Sequence, residues 1–188
     1  MSAVPLEAVV IGASAGAMEA LSALLPALPQ NFRLPVFVVV HLPPDRKSLF
    51  AEIFQAKCRV PVREAEDKEP IRAGTVYFAP PNYHLLIETG RSIALSSDEP
   101  VLYSRPAIDV LFESAADAYG PALAGIILSG ANEDGARGLK AVAAAGGVTM
   151  IQRPDEAQAP DMPLAALAAC PQAHILPVAG IAAFLQAL

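Results

Sequence analysis

The chain opens with an apolar run over residues 8–11 that breaks into small residues from Gly12 to Gly16. From Ala17 to about Leu25 apolar side chains return at helical spacing, so the pattern predicts a strand, a tight turn and a helix. Residues 34–41, LPVFVVVH, make a second buried strand rich in β-branched side chains. Pro43, Pro44 and Asp45 follow, and Asp45 is placed to cap a helix over residues 46–56. From Cys58 to Pro100 the pattern changes to short alternating runs broken by Gly, Pro and Asn. Within it, residues 84–88 and 91–95 read as a β-hairpin around Thr89-Gly90. This block predicts an antiparallel insertion at the sheet edge.

Alternation of helix and strand then resumes. Residues 106–118 predict a helix with Pro106 in its first turn. A buried strand over 123–130, the loop ANEDG, a helix over 136–145 and a strand in GGVTMIQ follow. A helix near 163–169, a short strand at HILPV and a closing helix over 179–188 complete the chain. Strands separated by helices imply parallel pairing through right-handed crossovers. The expected fold is therefore α/β: a doubly wound, mainly parallel sheet with helices on both faces and a small antiparallel hairpin insertion. No internal repeat and no long linker interrupts residues 1–188, which read as one domain.

Composition narrows the function. Only 17% of the residues are charged, the net charge is −6, and no Lys/Arg cluster occurs, which argues against nucleic acid as a partner. No apolar run approaches the roughly 18 residues of a membrane span, and the N-terminus lacks a signal-peptide pattern. A cytoplasmic protein without membrane insertion is the expectation. Cys58 and Cys170 form neither a disulfide framework nor a zinc motif, and read as small buried apolar residues.

In an open parallel sheet, ligands gather beyond the carboxyl ends of the strands. Three predicted strand ends carry polar groups there: Ser14 after the first, His41 after the second, and Glu133 with Asp134 after the strand at 123–130. Gly12, Ser14 and Gly16 fit G-x-S-x-G, a turn that exposes a nucleophilic serine. A serine needs a base to take its proton and a carboxylate to orient that base, so the rim holds the set for acyl transfer. Each member also has a plain structural reading: Ser14 as a turn residue, His41 as a structural or surface histidine, Asp134 as a helix cap. The chain order Ser, His, Asp also differs from the Ser, Asp/Glu, His of α/β-hydrolases. A dinucleotide loop fits less well, because Ser14 stands where the second glycine belongs and the second strand ends in His41 instead of an acid. His84 reads as structural or cleft-lining, and His174 as surface or structural; three histidines this scattered suggest no metal site.

Several segments together carry a more specific signal. VVIGASAGAMEAL, VVVHLPP, GTVYFAPPNYHLLI, RPAIDVLFESAA, GIILSGANEDGARGLKAVAAAGG and DMPLAAL follow one another in the order of a known family. The chain resembles the catalytic domain of the chemotaxis receptor methylesterases, the CheB-type protein-glutamate methylesterases, from about Leu6 to its end. That resemblance implies a serine hydrolase with Ser14, His41 and Asp134 as the triad. It would cleave γ-glutamyl methyl esters on methyl-accepting chemotaxis receptors and deamidate glutamine as a side activity. It implies no cofactor and no metal. Family members often carry a receiver domain, which this sequence lacks as given; a separate regulatory protein would then take its place. Three positions depart from the family pattern: Ala15 for threonine, Ala17 for the second glycine of a pair, and Ala131 for methionine in the aspartate loop. These departures motivate an alternative, a catalytically weak module that binds receptors or signalling partners. A nucleotide-binding domain is the third reading.

Overall fold

β1 (Ala8–Ala13) is buried along its whole length, as its unbroken apolar run requires. The computed structural model describes residues 4–42 and 48–188; Asp45 and the start of the helix expected over 46–56 lie outside the described residues. After β1 come α1 (Ala17–Leu24), β2 (Val36–Val40), α2 (Phe50–Lys57), β3 (Val62–Glu64) and β4 (Val76–Phe78). Next come β5 (His84–Ile87), β6 (Ile93–Ser96), α3 (Ile108–Tyr119), β7 (Leu123–Ile127) and α4 (Ala136–Ala144). The chain closes with β8 (Val148–Gln152), α5 (Asp161–Ala169), β9 (His174–Leu176) and α6 (Val178–Gln186).

Seven strands form one sheet in the order β3-β4-β2-β1-β7-β8-β9, and every pairing in it is parallel. Successive side chains of a strand point to opposite faces. Val9 and Ile11 accordingly join a core with Leu21 and Leu24 of α1, Phe54 of α2 and Ile181 of α6. Val10 joins the other core with Leu111 and Phe112 of α3, Leu139 of α4 and Met162 of α5. Helices thus cover both faces, which is the doubly wound arrangement the alternation predicts.

The middle block is where expectation and structure part. β3 and β4 are not antiparallel insertions but parallel strands of the main sheet, with β4 between β2 and β3. Each is three residues long, too short for a period to reveal its partner. β5 and β6 pair antiparallel and form a separate two-stranded sheet. That hairpin does not extend the sheet edge. It lies against α3, where the Ile87 N–H donates to Ser114 Oγ at 3.1 Å. Pro106 precedes α3 and is not in its first turn; Ala107 is the N-cap.

α3 and α4 pack closely because Gly138, inside α4, has no side chain. A Cβ there would stand 2.6 Å from Phe112 Cβ and 3.1 Å from Asp109 Cα, both attached to α3 backbone. Gly138→Ala is therefore expected to lower the unfolding free energy by about 1–3 kcal/mol through overpacking. Urea denaturation should show a lower midpoint at unchanged slope; an unshifted midpoint would mean that the helices separate freely.

Candidate active site

Parallel register brings the first two candidates together. Ala13 of β1 pairs with Val40 of β2, and the ladder runs one step further, with the His41 N–H donating to Ala13 O at 3.2 Å. Ser14 and His41 are the next residues on these two adjacent strands. On the other side of β1, the Ser14 N–H donates to Ser129 O at 2.9 Å, two residues beyond the end of β7. The carboxyl rim of three neighbouring strands thus carries Ser14, His41 and Ser129.

Asp134 enters from the loop after β7. Its carboxylate is fully buried and 2.7 Å from His41 Nε2, while the His41 side chain is 12% exposed. The same Oδ2 accepts the Ile108 N–H at 2.7 Å, and Oδ1 accepts the Asp109 N–H at 2.9 Å. Asp134 therefore caps α3 and not the following helix. The N-cap of α4 is Gly135, which makes no side-chain capping bond. Asp109 completes the exchange: its Oδ1 accepts the N–H of Gly135 at 3.0 Å and of Gly138 at 2.7 Å, at the start of α4. Each helix thus supports the other's N-terminus through a carboxylate. Helix N-termini favour negative charge, which suits an ionised Asp134. Burial raises the Asp109 carboxyl above its ordinary value, with the Gly138 N–H pulling the other way.

A carboxylate only accepts, so His41 Nε2 must carry the proton shared with Asp134. Nδ1 is then the basic nitrogen. Asn132 Nδ2 approaches Nδ1 at 3.5 Å, a long contact, and Asn132 Oδ1 accepts the Asp134 N–H at 3.1 Å. The Ser14 side chain is half-buried and makes no hydrogen bond among the described residues.

The turn that presents Ser14 is clasped by Ser129. Its hydroxyl donates to Ala15 O at 2.6 Å and accepts the Ala159 N–H at 2.9 Å. Its own N–H donates to Gln152 Oε1 at 2.9 Å. Gly16 has φ +83°, and a Cβ there would stand 2.7 Å from Ser129 Oγ. Only glycine fits both that dihedral and that approach. The second glycine of G-x-S-x-G thus shapes the turn.

Comparison with known proteins gives the family. The family model described as CheB methylesterase matches residues 9–185. The chain belongs to the CheB methylesterase family. Members of this family are hydrolases, and two relatives, from Trichodesmium erythraeum and Archaeoglobus fulgidus, are both named protein-glutamate methylesterase/protein-glutamine glutaminase. Each is 38% identical, over 78% and 85% of this chain respectively. The chain spans less than half of those two, 43% and 46% of their lengths. A Leptospira interrogans protein carries the same name provisionally; it is 44% identical over 94% of this chain and 91% of its own. The crystal structure of the Thermotoga maritima CheB methylesterase catalytic domain superposes with a TM-score of 0.92 at 30% identity. That match covers 98% of this chain and 99% of the other.

Other residues noted in the sequence fall into place beside the CheB fold. His84 is buried and satisfied: Nε2 lies 3.0 Å from Glu99 O, and Nδ1 accepts the Ala107 N–H at 3.2 Å. It is structural, pinning the approach to α3. His174 is exposed on β9. Cys170 is buried and Cys58 half-buried, its thiol pushed up to about 11 by burial. Ala15 and Ala131 are exposed, whereas Ala17 is buried in the α1 core. The sequence reading passed over Ser129, Asn132 and Asp109. Asn132, two residues before Asp134, is the spacing of an Asx turn and was legible in principle. The roles of Ser129 and Asp109 depend on partners 114 and 26 or more residues away, which no local pattern reports.

Removing the Asp134 carboxylate strands two buried helix N–H groups. Asp134→Ala should destabilise the fold by about 2–4 kcal/mol. Asp134→Asn, which keeps one acceptor oxygen, should recover part of that loss. Chemical denaturation of the two variants checks this. Equal stability of wild type and Asp134→Ala would mean that α3 does not depend on this cap.

Proposed function

We propose that the protein is a serine hydrolase that cleaves γ-glutamyl methyl esters on chemotaxis receptors, giving glutamate and methanol. The observation that carries this reading is the buried His41–Asp134 hydrogen bond beside Ser14 on register-paired strand ends. Ser14 Oγ attacks the ester carbonyl carbon, and His41 Nδ1 takes the hydroxyl proton. Asp134 holds the ring through Nε2–H and stabilises the imidazolium that forms. The tetrahedral intermediate collapses with transfer of that proton to the departing methoxide oxygen, releasing methanol. Water, deprotonated by Nδ1 in turn, then hydrolyses the acyl-enzyme and frees the γ-carboxylate.

The oxyanion needs donors that are otherwise uncommitted. The Ser14 N–H is bonded to Ser129 O and the Ala17 N–H to Ser14 O. The N–H groups of Ala15 and Gly16 have no partner among the described residues, and they fill this role. Neither metal nor organic cofactor enters a step. An amide carbonyl has the same geometry as the ester, so glutamine deamidation is the side activity of the same residues. The partners are the methylated cytoplasmic helices of receptors, the compartment is the cytoplasm, and residues 1–188 act as one catalytic domain.

A weaker, binding-only role is suggested by Ala15 and Ala131, exposed side chains that bring no hydrogen-bonding group to the site. Methanol release from a methylated receptor fragment separates the two readings. The wild type should turn over, and Ser14→Ala should lose at least about a thousandfold in rate while remaining folded. Undiminished release by Ser14→Ala would sink Ser14 as nucleophile; a folded wild type that releases none would favour the binding module.

A further inference from the structure

A pocket of about 270 Å³ opens beside His41, walled by Leu42, Asn82, Arg105 and Pro106. Pro100 and two residues of a short hairpin over Val101 to Ser104, Tyr103 and Ser104, complete its lining. Val101 and Ser104 exchange both backbone hydrogen bonds, at 3.1 and 2.9 Å. The two residues between them, Leu102 and Tyr103, have φ of +48° and +63°. Positive φ at both central positions is the signature of a type I′ hairpin turn, whose usual occupants are Asn and Gly. A leucine and a tyrosine are poor choices there, because Cβ crowds the backbone at positive φ.

Among the described residues, core packing does not account for that choice. Tyr103 is fully exposed at 103% and Leu102 is 40% exposed, so neither contributes to the core. Yet the base of the hairpin is firmly tied. Arg105 donates from Nη1 to Ser97 O and Asp98 O, at 2.8 and 3.0 Å. Its Nε and Nη2 donate to Asn82 Oδ1, at 3.1 and 2.6 Å. A four-bond anchor under a strained, solvent-facing aromatic tip describes an element positioned for a partner. Strained backbone that the surroundings hold in place clusters at ligand clamps, and tyrosine offers large contact area with few rotatable bonds.

We propose that Tyr103 is a specificity-determining residue that selects protein-borne esters over small ones. This rests on the reading of Ser14, His41 and Asp134 as an ester-hydrolysing site. The occupant is the receptor helix that carries the γ-methyl ester. A helix places residues three and four positions away on the same face as the ester side chain. Tyr103 lines the same pocket as His41, so a neighbour of the ester on that face meets the Tyr103 ring there. A small ester has no such neighbour and gains nothing from the ring. Tyr103 touches no reacting atom, so its contribution is to KM for the protein substrate.

The test compares kcat/KM for two substrates: a methyl-esterified receptor cytoplasmic fragment, and N-acetylglutamate γ-methyl ester α-amide. In Tyr103→Ala the ratio of the first to the second should fall about tenfold, through KM for the receptor fragment. Tyr103→Phe, which keeps the ring, should restore the ratio to near the wild-type value. An unchanged ratio in a folded Tyr103→Ala variant overturns the proposal while leaving the hydrolase reading intact. Equal losses on both substrates also overturn it, because the tip would then act on the chemistry. A wild type that hydrolyses neither ester overturns both readings.

Discussion

Two carboxylates exchanged between two helices hold this site together. Asp134 stands just before α4 but closes the N-terminus of α3, while Asp109 of α3 closes the N-terminus of α4. A buried carboxylate is costly unless donors surround it. Asp134 has three: two backbone N–H groups and His41 Nε2. The orientation of the histidine ring is thereby tied to the packing of α3 on α4. Gly138 permits that packing by leaving room for Asp109. Asp134 cannot shift without uncapping a helix, so its hydrogen bond to His41 is held by the fold itself.

The sheet supplies the other constraint. β1 lies between β2 and β7, and hydrogen bonds of the ladder run past the strand ends on both sides. Ser14 is bound to Ser129 through its backbone, His41 to Ala13, and the turn after Ser14 to the Ser129 hydroxyl. The nucleophile candidate therefore sits on a clasped turn, followed in the chain by two N–H groups, of Ala15 and Gly16, that have no partner among the described residues. The elements that carry recognition stand apart from this frame. The Val101–Ser104 hairpin is held at its base by Arg105 and leaves its aromatic tip in solvent.

The long apolar runs were legible. β1, β2, β7 and β8 are buried on both faces, and their near-continuous Val, Ile and Leu content announces that. Helices between them imply parallel pairing and a rim at the carboxyl ends of the strands, where His41 and Asp134 bond to each other. Where the evidence lay in a few residues, legibility failed. β3 and β4, three residues each, were read with the hairpin that follows them, although they extend the main sheet. The plain structural reading of Asp134, a cap for the helix it precedes, does not hold either: it caps α3 instead.

The sequence by itself determined the α/β class, the chemistry available on the rim, and the resemblance to the CheB family. It did so because hydrophobic periodicity and residue identity are local properties that survive without coordinates. Tertiary structure decided the rest. Which helix Asp134 caps, which nitrogen of His41 it binds and how Ser129 clasps the Ser14 turn depend on partners brought together by strand register and helix packing. A carboxylate satisfies whichever donors the fold presents, and sequence neighbours do not name them.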